Sequence, residues 1–500
     1  MEFFGRRKIF TTVDEITADN VVDELNRALG AHFLNMGEEE YLYWYRRGLQ
    51  PVLNREKSIR PEINHKVVVN FANVIVLFKN GYLLMKPANY IARRESADSE
   101  KIAKLNDYLY LSGKHDADND VVDWFHTVGV GVLYVEATGD KECPCSCYSL
   151  DPRQSFVVYS RRPGNKPMYG VNIVSIRGRD SLLTDVKFDV ITDTKIFRLV
   201  GEIKYTANPS DEPYAGLATA VVGVEDNVIG EVPIIEYVYD RNRMAAFESA
   251  MSIQDNLNDT QSSRLDGIDQ FVQSLMVFYN CQLGEDDDGN PITPAYIREA
   301  GAIFLKSVGQ DKADLKILNE QLDQSQTQVL VDDLFHQICS TACVPFTTHT
   351  TSGTSDNVGA VYLRNGWAMT DTADRNTEEL FRESNRRFDR IFTKILRFNT
   401  DLDVNPADIE LQFPRGETEN ILVKAQAALN LKQLGLAPEL VFAKSGVSTD
   451  PVSDAEQSKK YIDLMWFGER NDNAGQGSPD ADRTDSVTGE RRGNTSGEEQ

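Results

Sequence analysis

The spacing of apolar residues changes twice along this chain, and that change restricts it to a mixed architecture of helices and sheets. Up to about Tyr110 they recur every three or four positions, which is the helical period. A first helix is expected over 18–34, capped by Thr17, with Val21, Val22, Leu25, Leu29 and Phe33 on one stripe. An aromatic cluster follows at Tyr41, Tyr43, Trp44 and Tyr45, and a second helix is expected over 67–78, stopping at Asn80-Gly81. From 128 to 235 the texture becomes short runs of Val, Ile, Tyr and Phe between Gly, Pro, Asn and Asp. The runs at 129–136, 155–159, 169–176, 185–191 and 195–200 read as strands of a mainly antiparallel sheet.

After Pro233 the helical period returns. Met244, Phe247, Met251, Leu257, Leu265, Ile268, Phe271, Val272 and Leu275 predict a long helix over 243–276 with a polar stretch at 258–264. A second helix is expected over 322–343, with Leu330, Leu334 and Ile338 on one face. The two bracket a small insertion: a strand from Val277, the acidic turn at 284–291, a short helix near 294–299 and a strand over 302–305. Beyond Pro345, residues 347–357 form a hydroxyl-rich loop without an apolar residue. A third long helix then runs to about Phe398, striped by Leu380, Ser384, Phe388, Ile391, Phe392 and Ile395 and long enough to be shared between subunits. A strand at 408–413 and a helix at 420–434 ending on Gly435 complete the pattern, and after Phe467 the composition is that of a disordered tail.

The 500 residues carry 53 basic and 77 acidic side chains, a formal charge of −24, which excludes a protein that grips nucleic acid through its overall charge. With 41% hydrophobic residues the chain can bury a core. It has no apolar run of membrane-spanning length, and the basic residues Arg6, Arg7 and Lys8 are not followed by a signal-peptide core. Six cysteines fit a reducing compartment. Cys143, Cys145 and Cys147 share one face if their segment is a strand, but their spacing does not suit zinc, so thiols are the expected state.

No phosphate-binding loop, nucleophile elbow, H-E-x-x-H pair or dinucleotide fingerprint occurs, and the scattered histidines fit packing or surface roles. With Gly289 in the sixth position of a calcium loop, the first and twelfth positions fall on Gly284 and Ala295, so that motif fails and a solvated turn is expected. Arg386, Arg387, Arg390, Lys394 and Arg397 read either as a solvated helix face or as partners for acids on a neighbouring subunit.

The order of these segments resembles the portal proteins of tailed double-stranded-DNA bacteriophages, of the siphophage type. The likeness covers roughly residues 40 to 465 and lies in a series rather than in one motif. Gly230-Glu-Val-Pro-Ile-Ile-Glu236 leads into a helix with Asp255-Asn-Leu-Asn258, Ser262-Ser263, Asp266, Ile268, Phe271 and Val272, as a strand end introduces that family's stem. Asn64-His-Lys66, the apolar run before Asn80-Gly-Tyr82, Pro87, Gly129-Val-Gly-Val-Leu-Tyr-Val135, Leu150-Asp-Pro152 and Phe156-Val-Val-Tyr159 are similar to wing segments.

The resemblance implies an α+β portal fold. Its parts would be an N-terminal region and wing over 1–240, a first stem helix at 241–276, a small α/β clip at 277–308 and a second stem helix region at 309–344. A tunnel loop at 345–357, a long helix and wing strand at 358–419, a helical crown at 420–467 and a disordered tail at 468–500 would follow. Carried over to this sequence, the tunnel loop facing DNA would comprise Thr347, Thr348, His349, Thr350, Thr351, Ser352, Gly353, Thr354, Ser355 and Asn357, and the clip would meet partners through Glu285, Asp286, Asp287, Asp288, Asn290 and Tyr296.

The implied function is a ring of about twelve copies at one capsid vertex, passing double-stranded DNA in packaging and ejection without catalysis, metal or cofactor. Its implied partners are the terminase large subunit, a head-tail adaptor, the major capsid protein and scaffold, and no membrane. Two other classes compete: a metal-dependent nucleic-acid-processing enzyme using acids such as Asp286, Asp287 and Asp288, and another oligomeric virion component. Rings with an axial hole, seen by electron microscopy, separate the first reading from both.

Overall fold

In the computed structural model the first helix, α1 (Val21–Arg46), is much longer than its first apolar stripe requires. The structure describes residues 5–94, 98–177, 183–203, 216–272, 275–279, 281–283, 305–307, 314–318, 324–346, 366–414, 421–448 and 451–466. Helix α1 does not stop at Leu34, because Leu42 and Tyr45 continue its buried face. Tyr45 is fully buried, stacks on Phe247 at 5.8 Å and donates its hydroxyl to Asp255 at 2.8 Å. The expected cap at Thr17 is also corrected: Asn20 holds the N-cap position, and its Oδ1 accepts the Thr17 N–H at 2.8 Å.

Contacts divide the chain into two units, Met1–Thr418 and Glu419–Gln500. In the first, α1 covers a sheet of order β1-β5-β6-β7-β8-β9 among the described residues. Its strands are β1 (Ile9–Thr11), β5 (Ser155–Ser160), β6 (Pro167–Arg177), β7 (Leu183–Thr192), β8 (Lys195–Ile203) and β9 (Gly216–Asp226). All pairs are antiparallel except β1 with β5. Leu25, Ala28 and Leu29 of α1 pack on Val158, Val171, Phe188 and Val190. The sequence runs predict β5 to β8, whereas β9 lies outside every run read as a strand.

The second layer orders β10 (Ile234–Val238), β3 (Val130–Ala137) and β4 (Cys145–Leu150) beside α4 (Lys114–Val128). In β4 the alternation puts Cys145 and Cys147 in the core as free thiols. The turn from α4 into β3 needs two glycines. Gly129 has φ +94°, and a Cβ on Gly131 would lie 2.3 Å from the Val121 carbonyl oxygen. Strand β2 (Asn89–Ala92) pairs with β15 (Ile409–Gln412), and α3 (Ser99–Leu111) packs beside β2.

The expected helix at 67–78 is displaced. The helix α2 (Phe71–Leu83) starts only after Asn70 and runs through Gly81. Likewise the helix expected from Arg243 begins late. Arg243 has φ +60°, Ala245, Ala246 and Phe247 are core residues, and a 3-10 turn at Glu248–Ala250 leads into α5 (Met251–Val272). Glu248 accepts the Ala245 N–H at 2.8 Å, fixing that delayed start.

The second unit holds α8 (Ile421–Gln433), α9 (Pro438–Ser445) and α10 (Pro451–Trp466). Gly435 and Gly446 close the first two with φ +78° and +66°, and Lys424 donates to the Gly446 carbonyl at 2.8 Å. The tail expected at 468–500 lies outside the described residues.

Candidate functional site: the framework of a DNA channel

Three elements hold the segments that carry the sequence-derived site residues. Helix α5 packs against α6 (Gln324–Thr341), with Met251 and Leu257 near the start of one meeting Ile338 and Ala342 near the end of the other. At the far end β11 (Leu275–Tyr279) pairs antiparallel with β14 (Asp314–Leu318), and β12 (Cys281–Leu283) with β13 (Leu305–Ser307). The two helices therefore run antiparallel, and a nested β extension continues them. Strand β14 occupies the part of the 309–344 region that precedes α6.

The innermost pair, Leu283 with Leu305, brings together the two ends of the segment with the acidic turn. Glu285, Asp286, Asp287, Asp288, Asn290 and Tyr296 lie outside the described residues, as does the expected helix at 294–299. The same holds for the hydroxyl-rich loop, Thr347 through Asn357, and for the start of the third long helix. Its described part is α7 (Trp367–Asn399). The loop's flanks are adjacent: Thr370 Oγ1 donates to the Cys343 carbonyl at 2.9 Å, and a Cβ on Gly366 would lie 3.9 Å from Pro345 Cα. A segment leaving at Phe346 thus returns to the end of α6 by Gly366. Phe346 packs against His336 at 4.9 Å.

A polar ladder on α5 fixes this helix against the chain ahead of α2, and it runs from the polar stretch at 258–264 to Asp266. Asn258, Ser262 and Asp266 accept the backbone N–H groups of Val69 (2.8 Å), Val67 (3.0 Å) and His65 (2.8 Å). Four helical residues rise about 6 Å and two extended residues about 6.6 Å, so every fourth side chain of α5 meets every second amide of the facing segment. These amides are satisfied by side chains rather than by a helix, which is why 67–70 stays extended. The ladder is absent from the site residues inferred from the sequence. Its only sequence signal is the recurrence of Asn, Ser and Asp at intervals of four, within a helix that is polar at most of its positions.

Asp266 is the most heavily loaded rung. Arg55 and Lys57 reach it at 2.9 and 3.0 Å, and His65 Nδ1 lies at 3.0 Å. Burial alone would raise its carboxyl, but the His65 amide, Lys57 and the His65 ring outweigh burial and hold it at about 2. A depressed carboxyl contributes stability that is complete above its unfolded value near 4 and is lost as pH falls through about 2. We expect Asp266→Ala to destabilise the chain by about 3 kcal/mol at pH 7, because it leaves two cations and an amide without their acceptor. Most of that deficit should vanish near pH 2 in denaturant titrations.

Glu39 has the opposite sign. It is 2% exposed, its Oε2 has no partner, and burial pushes its carboxyl up to about 8. A raised carboxyl makes the folded state bind a proton that the unfolded state has released, so this group lowers stability as pH rises from about 4.5 to about 8. Glu39→Gln should therefore raise the melting temperature more at pH 9 than at pH 5. An equal change at both values would refute the assignment.

The basic run on α7 is partly spent within the chain. Arg387 donates to the Val232 and Ile234 carbonyls at 3.4 and 3.3 Å, Arg390 stands 4.0 Å from Glu231, and Arg397 pairs with Asp403 at 2.7 Å. The described histidines include packing residues, such as His32 stacked on Phe156 at 4.2 Å and His126 facing Asn80 at 2.7 Å. No helix among the described residues is long and apolar enough to cross a membrane.

The helix pair, its β extension and the pinned loop are set in a mixed, mostly antiparallel α+β framework, and this arrangement agrees with a family assignment made from sequence. Over residues 34–463 the chain matches the family model described as phage portal protein, SPP1 Gp6-like. The chain belongs to that family of phage portal proteins. It is a structural, non-enzymatic component of the virion, located at the capsid vertex, where it serves as the portal for DNA packaging and ejection. Membership implies an oligomeric ring that interacts with DNA and terminase. Comparison with curated proteins gave no match.

Proposed function

We propose that α5 and α6 are the stem of the portal, that residues 277–308 are its clip, and that residues 347–357 form the loop facing DNA in the channel. The wing would comprise the six-stranded and three-stranded sheets, the β2–β15 pair and α1 to α4 together with α7, and the crown the helices of 420–467. The observation that carries this reading is the closure of the 347–365 segment on its own root, by Thr370 on Cys343 and Gly366 beside Pro345, at the end of the helix pair opposite the β extension. The hydroxyls of residues 347–357 can exchange hydrogen bonds with passing phosphates, and this stretch lacks the Lys and Arg whose ion pairs trap them.

The ring would hold about twelve copies closed head to tail. At the clip, Glu285, Asp286, Asp287, Asp288, Asn290 and Tyr296 would meet the terminase large subunit during packaging and a head-tail adaptor afterwards. The major capsid protein and scaffold would contact the outer parts of the ring. A photo-crosslinking residue at position 352 should capture DNA in particles arrested during packaging. Capture from exposed wing positions such as Val222 but not from 352 would overturn the placement of the loop.

A further inference from the structure

A cavity of about 440 Å³ opens where the N-terminal strand, the turn before β6, the segment after β10 and α7 converge. Lys8, Lys166, Arg241, Arg243, Arg387 and Arg390 line it, against the carboxylates of Glu236 and Glu383. Six cations around one hollow are conspicuous in a chain with a formal charge of −24. Some are compensated locally: Arg241 lies 3.7 Å from Glu383, Arg390 4.0 Å from Glu231 and Lys166 3.1 Å from Asp193. Among the described residues Arg387 hydrogen-bonds to backbone carbonyls and forms no ion pair, and Lys8 lies over the Tyr159 ring at 5.4 Å.

The floor of the cavity supplies a second, independent observation. Arg243 is 6% exposed, and its Nη1 donates to Glu236 at 2.9 Å, but its Nε is buried without a partner. Its backbone is held at φ +60°, a conformation a non-glycine residue adopts at a cost. A strained arginine with an unsatisfied nitrogen, beneath a hollow lined by six cations and two carboxylates, suits a surface that accepts oxyanions.

We propose that this cavity receives carboxylates from an acidic surface of a second copy of this chain. Duplex DNA is far too wide to enter it. In a ring the surface present at the highest effective concentration is the neighbour's, and this chain carries 77 carboxylate side chains against 53 cations. The contact also gives a role to the part of the α7 basic run that its own chain does not neutralise. The inference rests on the ring and not on the placement of the channel loop.

The test uses rings assembled from an equal mixture of ¹⁴N- and ¹⁵N-labelled full-length chains, verified by electron microscopy and treated with a carbodiimide, which joins amines to touching carboxylates. Mixed-isotope peptides linking Lys8 or Lys166 to an Asp or Glu are expected. Links only within one copy, such as Lys166 to Asp193, would overturn the proposal, as would protection of these lysines by inorganic phosphate in rings that give no mixed-isotope link. Absence of rings would overturn it together with the assembly it rests on. Neutralising two exposed guanidiniums, Arg241→Gln with Arg390→Gln, should raise about tenfold the concentration at which half of the subunits are in rings, with an unchanged unfolding midpoint. Unchanged assembly would count against it.

Discussion

With Thr347, Thr350 and Thr354 replaced by lysine, packaging should slow by about tenfold or stall at low salt, and recover partly as salt is raised. In a ring of about twelve copies the three substitutions add about three dozen positive charges. Each ammonium that meets a phosphate displaces a condensed counterion, so the DNA acquires a binding minimum at every step where it should slide, and the salt dependence steepens with the number of contacts. Threonine-to-serine replacements at the same positions keep the hydroxyls and should leave the rate unchanged. The readout is nuclease-protected DNA per particle over time, scored only for rings that assemble normally. Lysine variants that package at the wild-type rate would remove the argument that the loop works by avoiding charge.

The second large effect is expected in the core under α7. Lys114 is 2% exposed, forms an ion pair with Asp118 one turn later on α4, and places its ammonium 4.6 Å from the Phe388 ring, with Phe381 and Tyr237 at 5.5 and 5.6 Å. Burial pushes the Asp118 carboxyl up and Lys114 pulls it back, with a net rise. Asp118→Ala leaves a buried ammonium without its ion-pair partner, held by aromatic faces and the more distant Asp389 carboxylate, and should cost about 3–5 kcal/mol in denaturant unfolding. The pair Lys114→Met with Asp118→Leu removes both charges at similar volume and should cost much less, about 1 kcal/mol or below. A double variant as unstable as Asp118→Ala would show that shape, not charge pairing, sets the cost.

Much of the fold was legible because burial imposes a period. The runs at 155–159, 169–176, 185–191 and 195–200 lie within β5 to β8, and the stripe of Phe388, Ile391, Phe392 and Ile395 faces the core from α7. Element boundaries were less legible, since tertiary partners decided them. Tyr45 extends α1 through its contacts with Phe247 and Asp255, and the rungs on α5 hold 65–69 extended although Val67, Val68 and Val69 fit a helical pattern. Composition alone marked the threonine-rich loop and the acidic turn, and the structure adds the closure of their roots. The cationic cavity was not legible: residues 8, 166, 241, 243, 387 and 390 are scattered over the chain and meet only after folding.

The ladder between α5 and the 65–69 segment also behaves as a vernier. Its two scales differ by about 0.6 Å per rung, so the misfit across three rungs remains within the tolerance of a hydrogen bond, while a fifth or sixth rung would fall out of reach. A device of this kind positions without gripping along its length. Shifting the segment by one residue would present carbonyls or outward-facing amides to all three acceptors at once, so α5 is locked against a one-residue slip.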